Sequence, residues 1–208
     1  MVERVRVTEA RLADLIAGLD DHQAAGASHL PGWSRGHLLT HLARNADSHT
    51  RRCRAAKRGE FVEQYVGGPA GRAAEIEAGA SRRADELRHD VVTSSAVMMV
   101  AFEAIEESDL EVLSRDATGT LRQVAELPTR RWQEVEIHLV DLDLGLTTAD
   151  WSDEFVETFL PPLRTALPTR LPDAGVSLDL GSLSPRDELA WHYGRLQVDG
   201  LPILTGNF

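Results

Sequence analysis

The sequence predicts a mainly α protein: a four-helix bundle over residues 1–150 followed by a small α/β appendage over 151–208. Three observations lead there. Apolar residues recur at three- and four-residue spacing through most of the first 144 positions, which is the period of a helix with one buried side. Breakers are gathered into a few clusters, so the periodic stretches are long. The last 58 residues differ, mixing prolines with a short apolar run.

The first stripe is Val5, Leu12, Leu15, Ile16 and Leu19, and predicts a helix over about 3–23. Leu30-Pro31-Gly32-Trp33 then reads as a turn, with Ser34 as the N-cap of a second helix that carries Leu38, Leu39, Leu42 and Ala46 and stops near Gly59. Residues 59–71, with Tyr65-Val66-Gly67-Gly68-Pro69, form a loop longer than a bundle connector requires, and such loops often carry function. A third, long helix is expected over 72–107, with Leu87, Val91, Met98 and Phe102 on its apolar side. Residues 112–121 suggest a small hairpin, and a fourth helix is expected over 128–144, entered through Pro128 and ended by Gly145. In the appendage the pattern predicts a proline-perturbed helix over 155–171, a strand over 176–180 and a helix over 185–196 behind the capping pattern Ser184-Pro185-Arg186-Asp187.

Composition narrows the function classes. With 22 Lys+Arg against 33 Asp+Glu, the formal charge of −11 disfavours sequence-independent nucleic-acid binding, which needs a basic face. No apolar run approaches the length of a membrane span. The opening MVERVRVTEAR is too charged for a secretory signal, and the single cysteine, Cys53, cannot form an internal disulfide. A cytoplasmic protein is expected. Eight histidines and many carboxylates supply nitrogen and oxygen ligands for a metal.

His37, His41, Asn45 and His49 follow one another at four-residue spacing on the second helix, and Glu134 and His138 do so on the fourth, with Asp141 three residues further. Two ligands four apart on a helix can share one metal, and a histidine from the facing helix would complete a set that leaves a coordination position open. The same spacing also fits a solvated Glu134–His138 ion pair, and His37 competes with His41 as the third ligand. His22, His29 and His89 read as surface or capping side chains, Cys53 as an ordinary helix residue, and Trp191 and Tyr193 as core.

The run Leu30-Pro31-Gly32-Trp33-Ser34-Arg35-Gly36-His37-Leu38-Leu39-Thr40-His41-Leu42-Ala43-Arg44-Asn45-Ala46-Asp47 resembles the N-terminal motif of the mycothiol-dependent maleylpyruvate isomerase family, within the DinB-like superfamily. The block Arg131-Trp132-Gln133-Glu134-Val135-Glu136-Ile137-His138-Leu139-Val140-Asp141-Leu142 is similar to that family's second metal-bearing helix. The resemblance implies a DinB-like four-helix bundle holding one zinc ion on His41, Glu134 and His138. It implies a role for Arg72, in the loop after Tyr65-Val66, in handling the substrate, and a C-terminal α/β domain that is shortened here.

By the same resemblance the partners are mycothiol, or a similar low-molecular-weight thiol, and a small-molecule electrophile. Zinc would ionise the thiol; the thiolate would then add to the double bond of maleylpyruvate, allow rotation and leave, giving cis–trans isomerisation. Thiol S-transfer uses the same parts. The alternatives are a non-catalytic metal- or small-molecule-binding bundle and a zinc hydrolase. No nucleic-acid or membrane partner is expected, and the chain is expected to be a monomer or a weak homo-oligomer.

Overall fold

The computed structural model describes residues 1–171, 178 and 180–204. Residues 1–144 form one compact unit and 145–208 a second. The protein is mainly helical. In the first unit the helices are α1 (Val2–Ile16), α2 (Asp21–Ala25), α3 (Arg35–Ala56), α4 (Gly68–Ala80), α5 (Ala84–Glu103) and α6 (Leu127–Asp141). Between α5 and α6 the expected hairpin is present, with β1 (Leu113–Arg115) antiparallel to β2 (Leu121–Gln123). Among the described residues no helix is long and apolar enough to cross a membrane.

Three of the helices expected in the first unit differ in extent from the sequence expectation, and in the second unit the helix expected over 185–196 ends at His192. The helix expected over 3–23 ends at Ile16, and Asp20 opens α2 by accepting from the Gln23 N–H at 2.7 Å. The helix expected over 72–107 is two helices. Gly67, in the left-handed region at φ 75°, and Pro69 start α4 within the expected loop, so Arg72 stands on a helix. The chain breaks again at 81–83, because Glu86 accepts from the Arg83 N–H at 3.0 Å and Asp21 from the Ala84 N–H at 2.7 Å, giving α5 its own N-terminus. The fourth helix ends at Asp141, where Arg35 donates to the carbonyls of Leu142 (2.7 Å) and Asp143 (2.8 Å).

The core fills with Val5, Leu12, Ile16, Leu38, Leu39, Leu42, Leu87, Met98, Val135 and Ile137. It contains a buried ion pair between an arginine and a glutamate. Arg131 of α6 donates to Glu9 of α1 at 2.6 Å, to the Leu42 carbonyl at 2.9 Å and to Asn45 at 3.0 Å, tying α1 and α3 to α6. The pairing of α3 with α4 depends on Gly36, where a Cβ would come within 2.1 Å of the Ala80 carbonyl oxygen. Only a glycine lets the two backbones approach so closely.

The second unit holds α7 (Asp153–Arg170) and α8 (Pro185–His192). The helix expected at 155–171 runs through Pro161, Pro162 and Pro168. Its N-cap Ser152 accepts from the Phe155 N–H at 3.1 Å, and Ser184 caps α8 by accepting from Asp187 N–H, also at 3.1 Å. Trp151, Phe155, Phe159 and Tyr193 make an aromatic core, and Trp191 is buried. The strand expected at 176–180 lies outside the described residues, apart from Leu178 and Leu180.

Candidate metal centre

His41, on the second turn of α3, and Glu134 and His138, one turn apart on α6, converge. One ligand atom from each lies within 4.8 Å of the others. His41 Nε2 is 2.6 Å from Glu134 Oε1, His138 Nε2 is 3.5 Å from the same oxygen, and the two imidazole rings meet edge to face at 5.1 Å. Both histidines are buried, while the Glu134 side chain keeps 15% exposure.

The two rings are oriented differently. Asp141, itself buried, lies 2.8 Å from His138 Nδ1, which turns Nε2 into the cluster, where it has no hydrogen-bond partner. A buried ring nitrogen left open while its other nitrogen is held by a carboxylate is the arrangement of a metal-binding histidine. His41 Nδ1 lies 3.2 Å from Arg72 Nη2. Arg72 is in turn placed between two rings, 5.9 Å from Trp33 and 5.7 Å from Tyr65.

The electrostatics follow from burial and mutual contact. Burial, assisted by the charges of His138 and Arg72, pulls His41 down to about 4, so it is neutral at physiological pH. Burial would raise Glu134, yet its contacts with His138 and His41 outweigh this and hold it well below the usual carboxylate range. Burial would lower His138, but Asp141 and Glu134 raise it on balance. Three donors of nitrogen and oxygen type, one already an anion, fit a divalent cation such as zinc.

The other histidines of the α3 stripe point elsewhere. His37 closes a capping box at the start of α3, with Nδ1 3.2 Å from the Ser34 N–H, and its Nε2 is 3.3 Å from Glu77. This removes it from competition with His41. His49 is buried against Phe102. His22, His29 and His89 are exposed, and Cys53 is buried, with its thiol pushed up to about 12 by burial. Sequence reasoning missed Trp33 and Tyr65 as neighbours of the cluster; the only signal was their position at the tip of a turn and within a long loop.

A helical bundle that gathers His, Glu and His between two helices belongs to a class of bundle proteins whose facing helices can build a site from inward side chains. Within that class the chain belongs to the family described as the mycothiol maleylpyruvate isomerase N-terminal domain, which matches residues 5–143. That is a family of enzymes, and the resemblance seen in two short blocks extends over the whole first unit. The fold is similar to a crystal structure of the mycothiol-dependent maleylpyruvate isomerase, with a TM-score of 0.82 at 24% identity over 93% of this chain and 88% of that one. A histidine-to-alanine mutant of that isomerase is similar to the same degree, with a TM-score of 0.82 at 23% identity and the same coverage. No curated protein matches the chain.

Proposed function

We propose that this chain is a zinc-dependent enzyme that directs a low-molecular-weight thiol, mycothiol or a close analogue, at a small electrophile. The reaction is cis–trans isomerisation of the maleylpyruvate type or thiol S-transfer. The observation that carries this reading is the convergence of His41, Glu134 and His138, with His138 Nε2 turned toward Glu134 and making no hydrogen bond, inside a bundle of this family. His41, Glu134 and His138 hold the metal. When bound, zinc supplies a positive centre that ionises a thiol otherwise mostly protonated at neutral pH.

The protein's own groups do the rest. Asp141 orients His138, and burial keeps His41 neutral and ready to ligate. Arg72, held beside the cluster by Trp33 and Tyr65, presents a planar guanidinium to a carboxylate or to negative charge developing on the electrophile. Cys53 plays no part, since its buried thiol stays protonated.

The test is metal content together with thiol dependence. Purified protein should hold close to one zinc, lose it in His41→Ala and His138→Ala, and turn over electrophile only with added thiol. Wild-type protein that binds no metal would sink the reading, and turnover without thiol would favour a hydrolase.

A further inference from the structure

The outer side of α5 is apolar. Val92, Ala96 and Val100 follow one another at four-residue spacing and are exposed, Val92 at 48% and Val100 at 66%, while Leu87, Val91, Met98 and Phe102 turn to the core. A single exposed valine is ordinary, but a contiguous stripe marks a surface that another molecule covers. A groove runs along each edge of the stripe. Arg6, Ala10, Ala13 and Met99 line the one beside α1, about 180 Å³, and Arg54, Lys57, Val97 and Ala104 the one beside α3, about 280 Å³. A ridge between two grooves is the shape that helices present when they pack on one another.

The order of residues along the ridge says what covers it. His89 stands seven residues before Ala96 and Glu103 seven after, both exposed, with Val92 and Val100 four before and four after. At 3.6 residues per turn all five lie within about 40° of one line along the helix. Reversed end for end, this stripe is its own complement: Val92 meets Val100, Ala96 meets Ala96, and His89 meets Glu103 twice. Arg6 donates to Glu103 through one carboxylate oxygen, which leaves the other to accept from the imidazole. Parallel packing would instead set histidine against histidine and glutamate against glutamate. Ala96 at the crossing lets the two helix axes approach to about 8 Å.

The neighbouring helix agrees with the same axis. α3 runs beside α5 in the same direction, with Arg44 donating to Asp90 at 2.6 Å and Lys57 Nζ to the Ala104 carbonyl at 2.8 Å. A two-fold axis at Ala96 therefore passes close to Thr50, and brings Arg54 of one copy toward Asp47 of the other. Both residues are exposed, and Arg54 makes no ion pair among the described residues.

We propose that the exposed face of α5 is a self-association surface, on which a second copy of this chain packs antiparallel about a two-fold axis at Ala96. Such an interface is isologous, so each complementary pair occurs twice. One helix face with the edges of its neighbours is small for a protein interface, and the expected affinity is micromolar.

Sedimentation velocity of the full-length protein over a concentration series tests this. Wild type is expected to pass from monomer to dimer, and Val100→Glu or Ala96→Arg to raise the dissociation constant at least tenfold with an unchanged far-UV circular dichroism spectrum. His89→Glu and Glu103→Lys should each weaken the dimer, because each places like charges across the axis. An equimolar mixture of these two variants should dimerise at least as well as wild type, since opposite charges then meet in the mixed pair. The proposal is overturned if wild type stays monomeric throughout, which would leave the ridge to some other partner, or if Val100→Glu and Ala96→Arg dimerise as wild type does, which would move the interface elsewhere. It is overturned equally if the mixture associates no better than either variant alone, an outcome that decides the matter even where Val100→Glu fails to fold.

Discussion

Asp141 Oδ2 lies 2.8 Å from His138 Nδ1, one turn along the same helix, and both side chains are buried. The contact fixes which ring nitrogen of His138 faces Glu134. Removing the carboxylate should therefore weaken metal binding without removing a ligand. Asp141→Asn is expected to reduce zinc affinity on the order of tenfold to a hundredfold. Titration against a competing chelator measures this, and an unchanged affinity would show that Asp141 orients nothing.

That Glu134 and His138 share one face of α6 was legible because they are four apart on one helix, whereas spacing alone left His37 and His41 as equal candidates for the partner across from them. What separates them is the capping box between Ser34 and His37, a local pattern that the sequence contains but that a search for metal ligands overlooks. The breaks around Asp20 and residues 81–83 were harder to see. One of the two caps on α5 comes from Asp21, 63 residues away from Ala84, so no window along the chain contains both partners of that cap. Trp33 and Tyr65 meet Arg72 only once a turn, a loop and a helix are folded together. The α4 start was misplaced because its first residues are Gly68 and Pro69, composition that reads as loop.

The buried pair of Glu9 and Arg131 yields a stability prediction. Arg131 is 0% exposed and relies on Glu9 for its charge. Glu9→Gln leaves a buried cation uncompensated, and the expected loss is about 3–5 kcal/mol. Replacing both residues by apolar side chains of similar volume should recover most of that. Urea unfolding of the two variants checks the pair, and a single variant within about 1 kcal/mol of wild type would refute it.

His192 predicts an acid-sensitive second unit. It is fully buried, and burial, aided by the charge of Arg170, pulls it down to about 4. The unfolded chain takes up a proton near 6.5 while the folded chain resists, so the stabilisation is complete above 6.5 and is lost as pH falls toward 4. Between pH 7 and 5 this residue should account for about 2 kcal/mol of lost stability, given 1.36 kcal/mol per unit. In His192→Gln the difference between unfolding free energies at the two pH values should shrink by that amount. An identical pH dependence in the variant would mean that His192 is not held neutral.

Arg72 tests whether position or charge matters beside the cluster. Its guanidinium sits between Trp33 and Tyr65 with Nη2 3.2 Å from His41 Nδ1, so its planar fork is held at the edge of the metal site. Arg72→Ala removes charge and fork together, and turnover should fall on the order of a hundredfold or more, the scale seen when one preorganised donor to developing charge is removed. Arg72→Lys restores the charge but neither the paired donors nor the stacking, so it should recover only part of that loss. Zinc content must stay near that of wild type in both variants. If zinc is lost, Arg72 supports His41 and not the substrate; if Arg72→Lys matches wild type, charge alone suffices and the aromatic pair does not matter to the reaction.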